Sequence, residues 1–584
     1  MMKLFLLMIA VLITYSSLFA QSASDSIVLN QLGYYTHAPK IAVIKGNTTT
    51  DSFYVINSAK SDTAYRGSLS ASMKSHNSST VTHIADFSSF AKDGNYFLYI
   101  PDIGNSYTFS IHKNANHIAA KAALKGFYYI RSNMPLEEKY AGKWHRDAGH
   151  PDTAVLIHSS AVSPARKEGT VISTPGGWYD AGDYNKYIVN SGITMGTLLS
   201  AYEDFAPYFD TLNTNIPESN DKVPDLLNEA IYNLRWMLTM QDPADGGVYH
   251  KCTNAAFDGM VMPGITKLPR YVVQKGTAAT LDFAAVTAQA ARILQRFQKQ
   301  LPHLADSCLQ ASQQAWQWAL KHPGAIYNQD DNNKLYRPVI TTGAYGDNDF
   351  KDEWFWAACE LYATTKDEQY WQTIFNTVSN PVTLPNWGNV HTLGIYTLLR
   401  FGKQLTTHKD ITESMRKKLT AFADSYLQHV NDNAFKTVMG GSVKDFNWGS
   451  NSNAANQGIA LINAYFITKD KKYIDGALSN LDYILGRNAT SYCFLTGIGT
   501  HSTMHPHHRP SVADGIEEPV PGLLAGGPNP GKEDKCAGYK YAEPETTYLD
   551  DACSYASNEI AINWNAPLVY LANAIEALQK DAGY

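Results

Sequence analysis

The spacing of apolar residues changes once along the 584-residue chain, and this change constrains the fold more than any other feature. Between Ser26 and His112, short runs rich in Val, Ile, Tyr and Phe are separated by Gly, Asn, Asp and Ser. Such runs are typical of short β-strands, and they predict a small all-β sandwich over residues 26–112. The alternative is a β-rich start to one larger domain, but the abrupt change that follows favours a separate domain.

From Asn114 onward the apolar residues recur with a helical period, and the strand signal is weak. After Pro224, which suits a first helical turn, Leu227, Ile231 and Leu234 fall on one helical face. The sequence therefore predicts one all-α domain over residues 114–584. Helices in such number need a closed arrangement to bury their inner faces, so we expect the functional residues on the connecting loops.

The first 20 residues are typical of a signal peptide. Lys3 precedes an apolar run that is too short for a membrane span, and Gln21 is the expected first residue of the mature protein. No later apolar stretch is long enough to cross a bilayer. The sequence thus predicts an exported protein, secreted or periplasmic, without a membrane span.

Charge and cysteine content exclude several classes of protein. A formal net charge of −6 without basic runs argues against a nucleic-acid partner, and we expect a monomer. The six cysteines are irregularly spaced in a large chain, which excludes a disulfide scaffold, although Cys536 and Cys553 form a candidate bridge. Cys308 and Cys359 lie in helical apolar patterns and are predicted to be buried thiols.

Two segments far apart in the chain place carboxylates among aromatic rings. Residues 177–187 contain Asp180 and Asp183 beside a Gly-rich turn, and residues 548–559 contain Asp550 and Glu559. Aromatic faces stack on sugar rings. A pair of carboxyl groups can cleave the bond between sugars, because one donates a proton while the other activates water or attacks directly. The two segments therefore predict a carbohydrate hydrolase.

These motifs, taken in order, resemble glycoside hydrolase family 9, the inverting endoglucanases, in the form that carries an immunoglobulin-like N-terminal domain. The resemblance covers nearly the whole mature chain and implies an (α/α)6 barrel for the all-α catalytic domain. It also implies that chemistry needs no cofactor and that the substrate is a β-glucan. The segments that carry it are residues 30–34, 178–183, 240–243, 282–286, 495–511, 520–529 and 548–566.

The same resemblance assigns roles to the carboxylates. Asp183 is the expected base, Asp180 helps to hold the same water, and Glu559 is the general acid, kept protonated by partial burial. Asp550 either orients substrate or shapes a neighbouring loop. The residues alone leave other roles open: Asp180 suits a helix cap, and Glu559 suits the surface of a helix.

The histidine signature of the family falls on residues 495–511. His507 is expected among the catalytic residues, where it can hydrogen-bond sugar hydroxyls near the cleaved bond. His508 and Arg509 are expected to bind substrate, although Cys493 and His501 depart from the usual pattern. A metal cluster of neighbouring histidines is the alternative for this segment. Sugar stacking is predicted for a set of aromatic residues, any one of which is more often part of a core: Trp178, Tyr179, Trp316, Trp318, Trp448 and Trp564.

The resemblance suggests two candidate metals, zinc and calcium. Some relatives hold zinc just before the base motif, but Ala141 and Gly149 stand where the thiolates belong, so zinc is not expected. Calcium is the better candidate, with Asp352, Glu353 and Asn389 as oxygen ligands. The alternative is that these acidic residues simply begin a helix, because the helix dipole stabilises negative charge at its N-terminus.

The functional prediction is an exported endo-β-1,4-glucanase that inverts configuration. The same machinery acting on xyloglucan, on mixed-linkage glucan or from chain ends is the first alternative. A glycan-binding protein without catalysis is the second, and the presence of every expected carboxylate counts against it. The N-terminal domain is expected to brace the barrel rather than to bind sugar.

Overall fold

A computed structural model describes residues 23–404 and 408–584. The predicted signal peptide, residues 1–20, lies outside the described residues. Within the described ranges, none of the helices combines the length and apolar character that a membrane crossing requires.

The N-terminal region is a sandwich of two sheets, as the alternating sequence predicts. One sheet has the order β1-β3-β7-β6, and the other has the order β2-β10-β8-β4-β5 with β9 beside β8. Aromatic residues from both sheets meet in the core, where the rings of Phe87 and Phe109 lie 5.6 Å apart. The strands are β1 (Ile27–Val28), β2 (Gly33–Tyr34), β3 (Ile41–Lys45), β4 (Ser52–Asn57), β5 (Thr63–Ser68), β6 (Met73–Lys74), β7 (Val81–Asp86), β8 (Gly94–Ile100), β9 (Gly104–Asn105) and β10 (Phe109–Ile111).

The rest of the chain is predominantly helical, which confirms the second prediction of fold class. Its helices are α1 (His117–Tyr129), α2 (Glu138–Ala141), α3 (Ile188–Phe209), α4 (Asp225–Thr239), α5 (Thr277–Leu294), α6 (Leu304–Lys321), α7 (Gln329–Leu335), α8 (Lys351–Thr365), α9 (Trp371–Thr377), α10 (His391–Arg400), α11 (Lys409–Leu427), α12 (Ser450–Thr468), α13 (Lys471–Ile484), α14 (Arg509–Ala513), α15 (Tyr555–Asn558) and α16 (Ile562–Leu578).

A small five-stranded sheet also lies within the helical region, and sequence periodicity did not reveal it. Its order is β12-β11-β15-β14-β13. The strands are only two to four residues long, which is too short for alternation to stand out. They are β11 (Val155–Ile157), β12 (Val171–Ile172), β13 (Lys186–Tyr187), β14 (Lys251–Asn254) and β15 (Arg270–Val272).

Twelve of the helices form two concentric layers. The inner layer consists of α3, α5, α8, α10, α12 and α16, and each packs on an outer partner: α4, α6, α9, α11, α13 and α1, respectively. Inner helices are buried almost all round, and α5 is rich in small residues that permit close approach. In α5 every residue except Arg292 is buried. A Cβ on Gly196 of α3 would lie 2.4 Å from the Trp356 ring of α8, so glycine is required at this crossing.

Polar contacts join the sandwich to the barrel. Asn30 Nδ2 donates to Asp482 Oδ1 over 2.8 Å. Gln31 Oε1 accepts from the backbone N–H groups of Thr500 and His501, over 2.9 and 2.8 Å. The sandwich thus holds a loop that leads directly into the histidine segment.

The predicted states of the cysteines can be compared with the structure. Cys536 and Cys553 form a disulfide, which confirms the candidate pairing. Cys308 and Cys359 are buried free thiols, as their helical patterns predict.

Candidate active site

One cavity of about 610 Å³ brings together Asp180 and Asp183 of the first acid motif and Glu559 of the second. It is lined by the segments that immediately precede five inner helices, namely α3, α8, α10, α12 and α16. The N-termini of these helices therefore face the same space, and their dipoles favour negative charge there. Among its lining residues are Asp180, Asp183, Phe257, Tyr345, Trp387, Trp448, Asn456, Glu559 and Trp564.

Asp180 and Asp183 lie in the loop before β13, and both are buried. Asp180 Oδ1 accepts from Asn190 Nδ2 and Asp180 Oδ2 accepts from the Tyr345 hydroxyl, each over 2.7 Å. Burial and the nearby charge of Asp183 raise the pKa of Asp180 to about 8. Asp180 therefore holds a proton more readily than an ordinary aspartic acid.

A separate set of donors surrounds Asp183. Its Oδ2 accepts from the Asn185 side-chain amide, and the Asn185 backbone N–H and the Tyr187 hydroxyl each lie 3.3 Å from it. These donors stabilise a carboxylate rather than a neutral carboxylic acid. Both acids and three residues that donate hydrogen bonds to them lie within eleven residues of the chain, from Asp180 to Asn190.

Glu559 follows the short helix α15 and faces the same cavity in extended conformation. Burial raises the pKa of the Glu559 carboxyl well above its ordinary value, and the charges of Asp183 and Asp180 raise it further. The backbone of Gly182 and the Arg509 cation act in the opposite direction. Glu559 is therefore a protonated carboxyl group at neutral pH, in the same cavity as the two aspartates.

His507 is half-buried beside this wall. The segments of His507 and Glu559 run side by side, with the His507 backbone N–H donating to Asn558 O over 2.9 Å. Burial lowers the pKa of His507, so the imidazole is neutral. Its Nδ1 lies 2.6 Å from Ala552 O and must donate to that carbonyl, which leaves Nε2 as an acceptor.

Asp550 takes a different place from the one expected for a catalytic group. Its two carboxylate oxygens accept from the backbone N–H groups of Met504 and His505, each over 2.8 Å. It does not line the cavity. Of the two roles left open by the sequence, shaping a neighbouring loop is the one that fits, because Asp550 fixes the turn before His507.

Arg509 and His508 do not face the cavity, which corrects their expected role as direct substrate ligands. Arg509 is buried, and all its hydrogen bonds run to the backbone carbonyls of Gly182 and Asp258. His508 is buried and bonds to Ser511 Oγ over 2.9 Å. Arg509 thus ties the histidine segment to the loop of Asp183 instead of reaching sugar.

The aromatic candidates divide into two groups. Trp448, which is 45% exposed, and Trp564 line the cavity and are placed to contact a ligand. The other aromatic candidates are buried, so they are not placed to stack on sugar as expected. Trp178 is fully buried with its ring 4.5 Å from Phe127. Core positions away from the cavity are also taken by Tyr179, Trp316 and Trp318.

Sequence reasoning missed several residues that the fold brings to the site. Tyr345 and Trp387 come from two different loops, and their rings pack edge to face at 5.3 Å. Phe257, which is 47% exposed, lines the cavity from the loop between β14 and β15. Asn190 and Tyr187 were available as polar neighbours of the base motif, but no sequence signal pointed to the three loop residues.

The candidate calcium ligands Asp352 and Asn389 each accept a hydrogen bond within the protein. Asn389 Oδ1 accepts from Thr383 Oγ1 over 3.0 Å, and Asp352 Oδ2 accepts from the Val390 backbone N–H over 2.7 Å. Within the described ranges, no group of three or more His, Cys, Asp or Glu side chains is arranged to hold a metal. Both carboxylate oxygens of Glu353 and of Asp282 are nevertheless buried without a hydrogen-bond partner.

Comparison with known proteins agrees with this arrangement. Residues 117–572 match the model of glycosyl hydrolase family 9, and residues 22–105 match the model described as a cellulase N-terminal ig-like domain. A xyloglucan-specific endo-β-1,4-glucanase of Bacteroides ovatus is 47% identical over 557 residues, covering 95% of this chain and 94% of that protein. Endoglucanase D of Acetivibrio thermocellus is 33% identical, covering 93% of this chain and 82% of that protein.

A solved structure also shares the architecture. The structure described as Bacteroides ovatus GH9 superimposes with a TM-score of 0.91 at 46% sequence identity, and the match covers 95% of this chain and 99% of that one. The chain belongs to glycosyl hydrolase family 9.

Proposed function

We propose that this protein is an exported endo-β-1,4-glucanase that hydrolyses its substrate by single-displacement inversion. The observation that carries the proposal is the contrast across one cavity, where Glu559 keeps its proton and Asp183 is surrounded by donors that favour the anion. Inversion needs such an acid and base on opposite faces of the sugar, about 6.5–9.5 Å apart, with water between them.

The reaction follows from these protonation states. Glu559 donates its proton to the glycosidic oxygen, and the bond to the anomeric carbon breaks. Asp183 takes a proton from the attacking water, and Asp180, fixed by Asn190 and Tyr345, orients that water. As that bond breaks, the water oxygen bonds to the anomeric carbon from the face opposite the leaving group, so the product has the opposite anomeric configuration. One proton enters at the leaving group and one leaves from the water.

Xyloglucan is the first substrate to test. The support is the 47% identity with the Bacteroides ovatus enzyme named as xyloglucan-specific. The cavity also extends beyond the carboxyl groups to exposed Trp448 and Phe257, where side chains of a branched glucan would meet aromatic rings. Mixed-linkage glucan and action from chain ends remain the competing proposals.

The decisive experiment is proton NMR of the anomeric signals during the first minutes of digestion. Xyloglucan oligosaccharide and cellohexaose are compared at equal concentration. Fresh α-anomer supports inversion, whereas fresh β-anomer overturns the role proposed for Asp183. Binding of both glycans without cleavage would move the protein to the glycan-binding alternative.

We also propose a structural calcium ion near Asp352 and Glu353, without a part in the chemistry. Its support is the orphaned carboxylate oxygens of Glu353 and Asp282, because buried charges are normally paired or bound to metal. The test is elemental analysis of the purified protein together with thermal unfolding in chelator and in added Ca²⁺. Glu353→Gln should abolish any stabilisation by Ca²⁺, and Glu413→Gln on the exposed face of α11 is the matched control.

Export and oligomeric state complete the proposal. We expect cleavage before Gln21 and a monomer in solution, with no cofactor needed for catalysis. N-terminal sequencing of the protein recovered from the culture medium or periplasm tests the first point, and light scattering tests the second.

A further inference from the structure

We propose that Lys251 is a positioning residue for the catalytic carboxylates, acting through the loop that carries Tyr345. The inference rests on the proposed function, since it assigns Lys251 a part in the same hydrolysis. Lys251 lies on β14, directly opposite Tyr187 of β13, and is fully buried. Neither acid motif contains it, and it does not line the cavity.

The Lys251 ammonium has three acceptors, one for each of its protons. Nζ donates to Gln329 Oε1 over 2.6 Å, to Thr342 Oγ1 over 3.1 Å and to Gly343 O over 2.6 Å. Two of these acceptors belong to the loop before α8. A buried lysine with a complete set of acceptors is therefore fixing this loop in place.

From that loop, two short routes lead to the two carboxylates. The Gly343 backbone N–H donates to the Tyr187 hydroxyl over 3.1 Å, and this hydroxyl lies 3.3 Å from Asp183 Oδ2. Two residues further on, Tyr345 donates to Asp180 Oδ2 over 2.7 Å. Displacement of the loop would disturb both members of the pair at once.

The charge of Lys251 matters as well as its hydrogen bonds. Asp183 is the carboxylate whose charge acts on it, and the neighbouring His250 is neutral because burial lowers its pKa to about 3. His158, the other histidine within its field, also has a lowered pKa because of burial. The rings of Tyr187 and Tyr327 lie 5.5 and 5.6 Å from Nζ.

These surroundings make Lys251 the counter-charge behind the base. Burial lowers the pKa of Lys251 to about 7, while Asp183 acts to raise it. The three acceptors and two aromatic faces favour the ammonium form. The cation should in turn help the carboxylate pair to ionise, which a purely structural contact would not do.

The test compares pH profiles of kcat/KM for Lys251→Met, Lys251→Arg and Gln329→Met on the soluble glucan that the wild-type enzyme cleaves. Lys251→Met removes the charge and the loop contacts. Gln329→Met is the matched control, because Gln329 also bonds to Thr342 O and its loss loosens the loop while keeping the cation.

We expect Lys251→Met to lower kcat by about 10-fold or more with little change in KM, as misplaced catalytic groups do. Its acidic limb should move to higher pH, because the pair loses a cation that favours its ionised form. Gln329→Met should lower kcat without moving that limb, and Lys251→Arg should keep the limb of the wild type.

Equal limbs in Lys251→Met and Gln329→Met, or a wild-type limb in Lys251→Met, overturn the inference. If Lys251→Met does not fold, as judged by circular dichroism, Lys251→Arg decides, because a displaced limb there contradicts a role for charge. A wild-type enzyme that cleaves no β-glucan is a different result, since it refutes the proposed function itself.

Discussion

The two walls of the cavity differ in the groups that surround their carboxyl side chains. On the wall of Asp180 and Asp183, amide and hydroxyl groups donate to the buried carboxyl oxygens, and those on Asp180 act against the effect of its burial. On the wall of Glu559, burial and the two facing carboxyl groups keep the Glu559 side chain protonated. The comparison teaches that similar carboxyl side chains take different protonation states because of what surrounds them.

Removal of either carboxyl group is expected to have the largest effect. Asp183→Asn and Glu559→Gln should each lower kcat by about 10²–10⁴-fold, because each loses a proton-transfer partner. Initial rates on xyloglucan measure this. Asp550→Asn is the control outside the cavity, and it should reduce thermal stability more than kcat; equal loss of kcat in all three variants would contradict the division of roles.

Loss of the Tyr345 hydroxyl should have the next largest effect. Tyr345→Phe removes a donor to Asp180, so the attacking water is less well held, and kcat should fall by about 10-fold or more. Steady-state kinetics should show this loss with a nearly constant KM. A Tyr345→Phe enzyme with wild-type kcat would show that Asp180 needs no such support.

The raised pKa of Glu559 predicts how activity is lost on the high-pH side of the pH profile. Because the pKa of Glu559 is raised, its proton is kept to higher pH than in an ordinary glutamic acid, and activity should fall only as pH rises through that raised value. The pH dependence of kcat/KM measures it in the free enzyme. A limb close to the ordinary glutamate value would show that Glu559 is not the group that loses its proton.

Trp448 and Trp316 allow a matched test of the aromatic residues. Trp448→Ala should raise KM by about 2- to 12-fold, as expected for a lost stacking contact, with little loss of stability. Trp316→Ala should leave KM unchanged but cost ~3–5 kcal/mol of unfolding free energy, because the side chain is buried. Reversed outcomes would place the sugar platform elsewhere.

The smallest effect on activity is expected at the contact between the sandwich and the barrel. Gln31→Ala leaves the N–H groups of Thr500 and His501 without an acceptor, and it should cost about 1–3 kcal/mol of stability. Thermal unfolding and kcat are measured on the same preparation. A large loss of kcat with unchanged stability would indicate that the N-terminal domain positions the histidine segment rather than bracing the barrel.

Local patterns in the sequence are enough to predict the two fold classes, the catalytic motifs and the disulfide. The change from strand to helix period placed the sandwich and the barrel, because each period reports which face of an element is buried. The motifs identified the family, and they marked Asp180, Asp183 and Glu559, which the fold brings to one cavity. Cysteine placement indicated the bridge between Cys536 and Cys553.

Tertiary structure alone decided which neighbouring side chains face the cavity. Trp178 and Arg509 lie in the motifs yet turn into the core, whereas Tyr345 and Trp387 line the cavity from segments without a sequence signal. The physical reason is that a motif fixes the backbone path, while orientation and burial depend on packing between helices far apart in the chain. Protonation states follow from that packing, so they too could be read only from the assembled barrel.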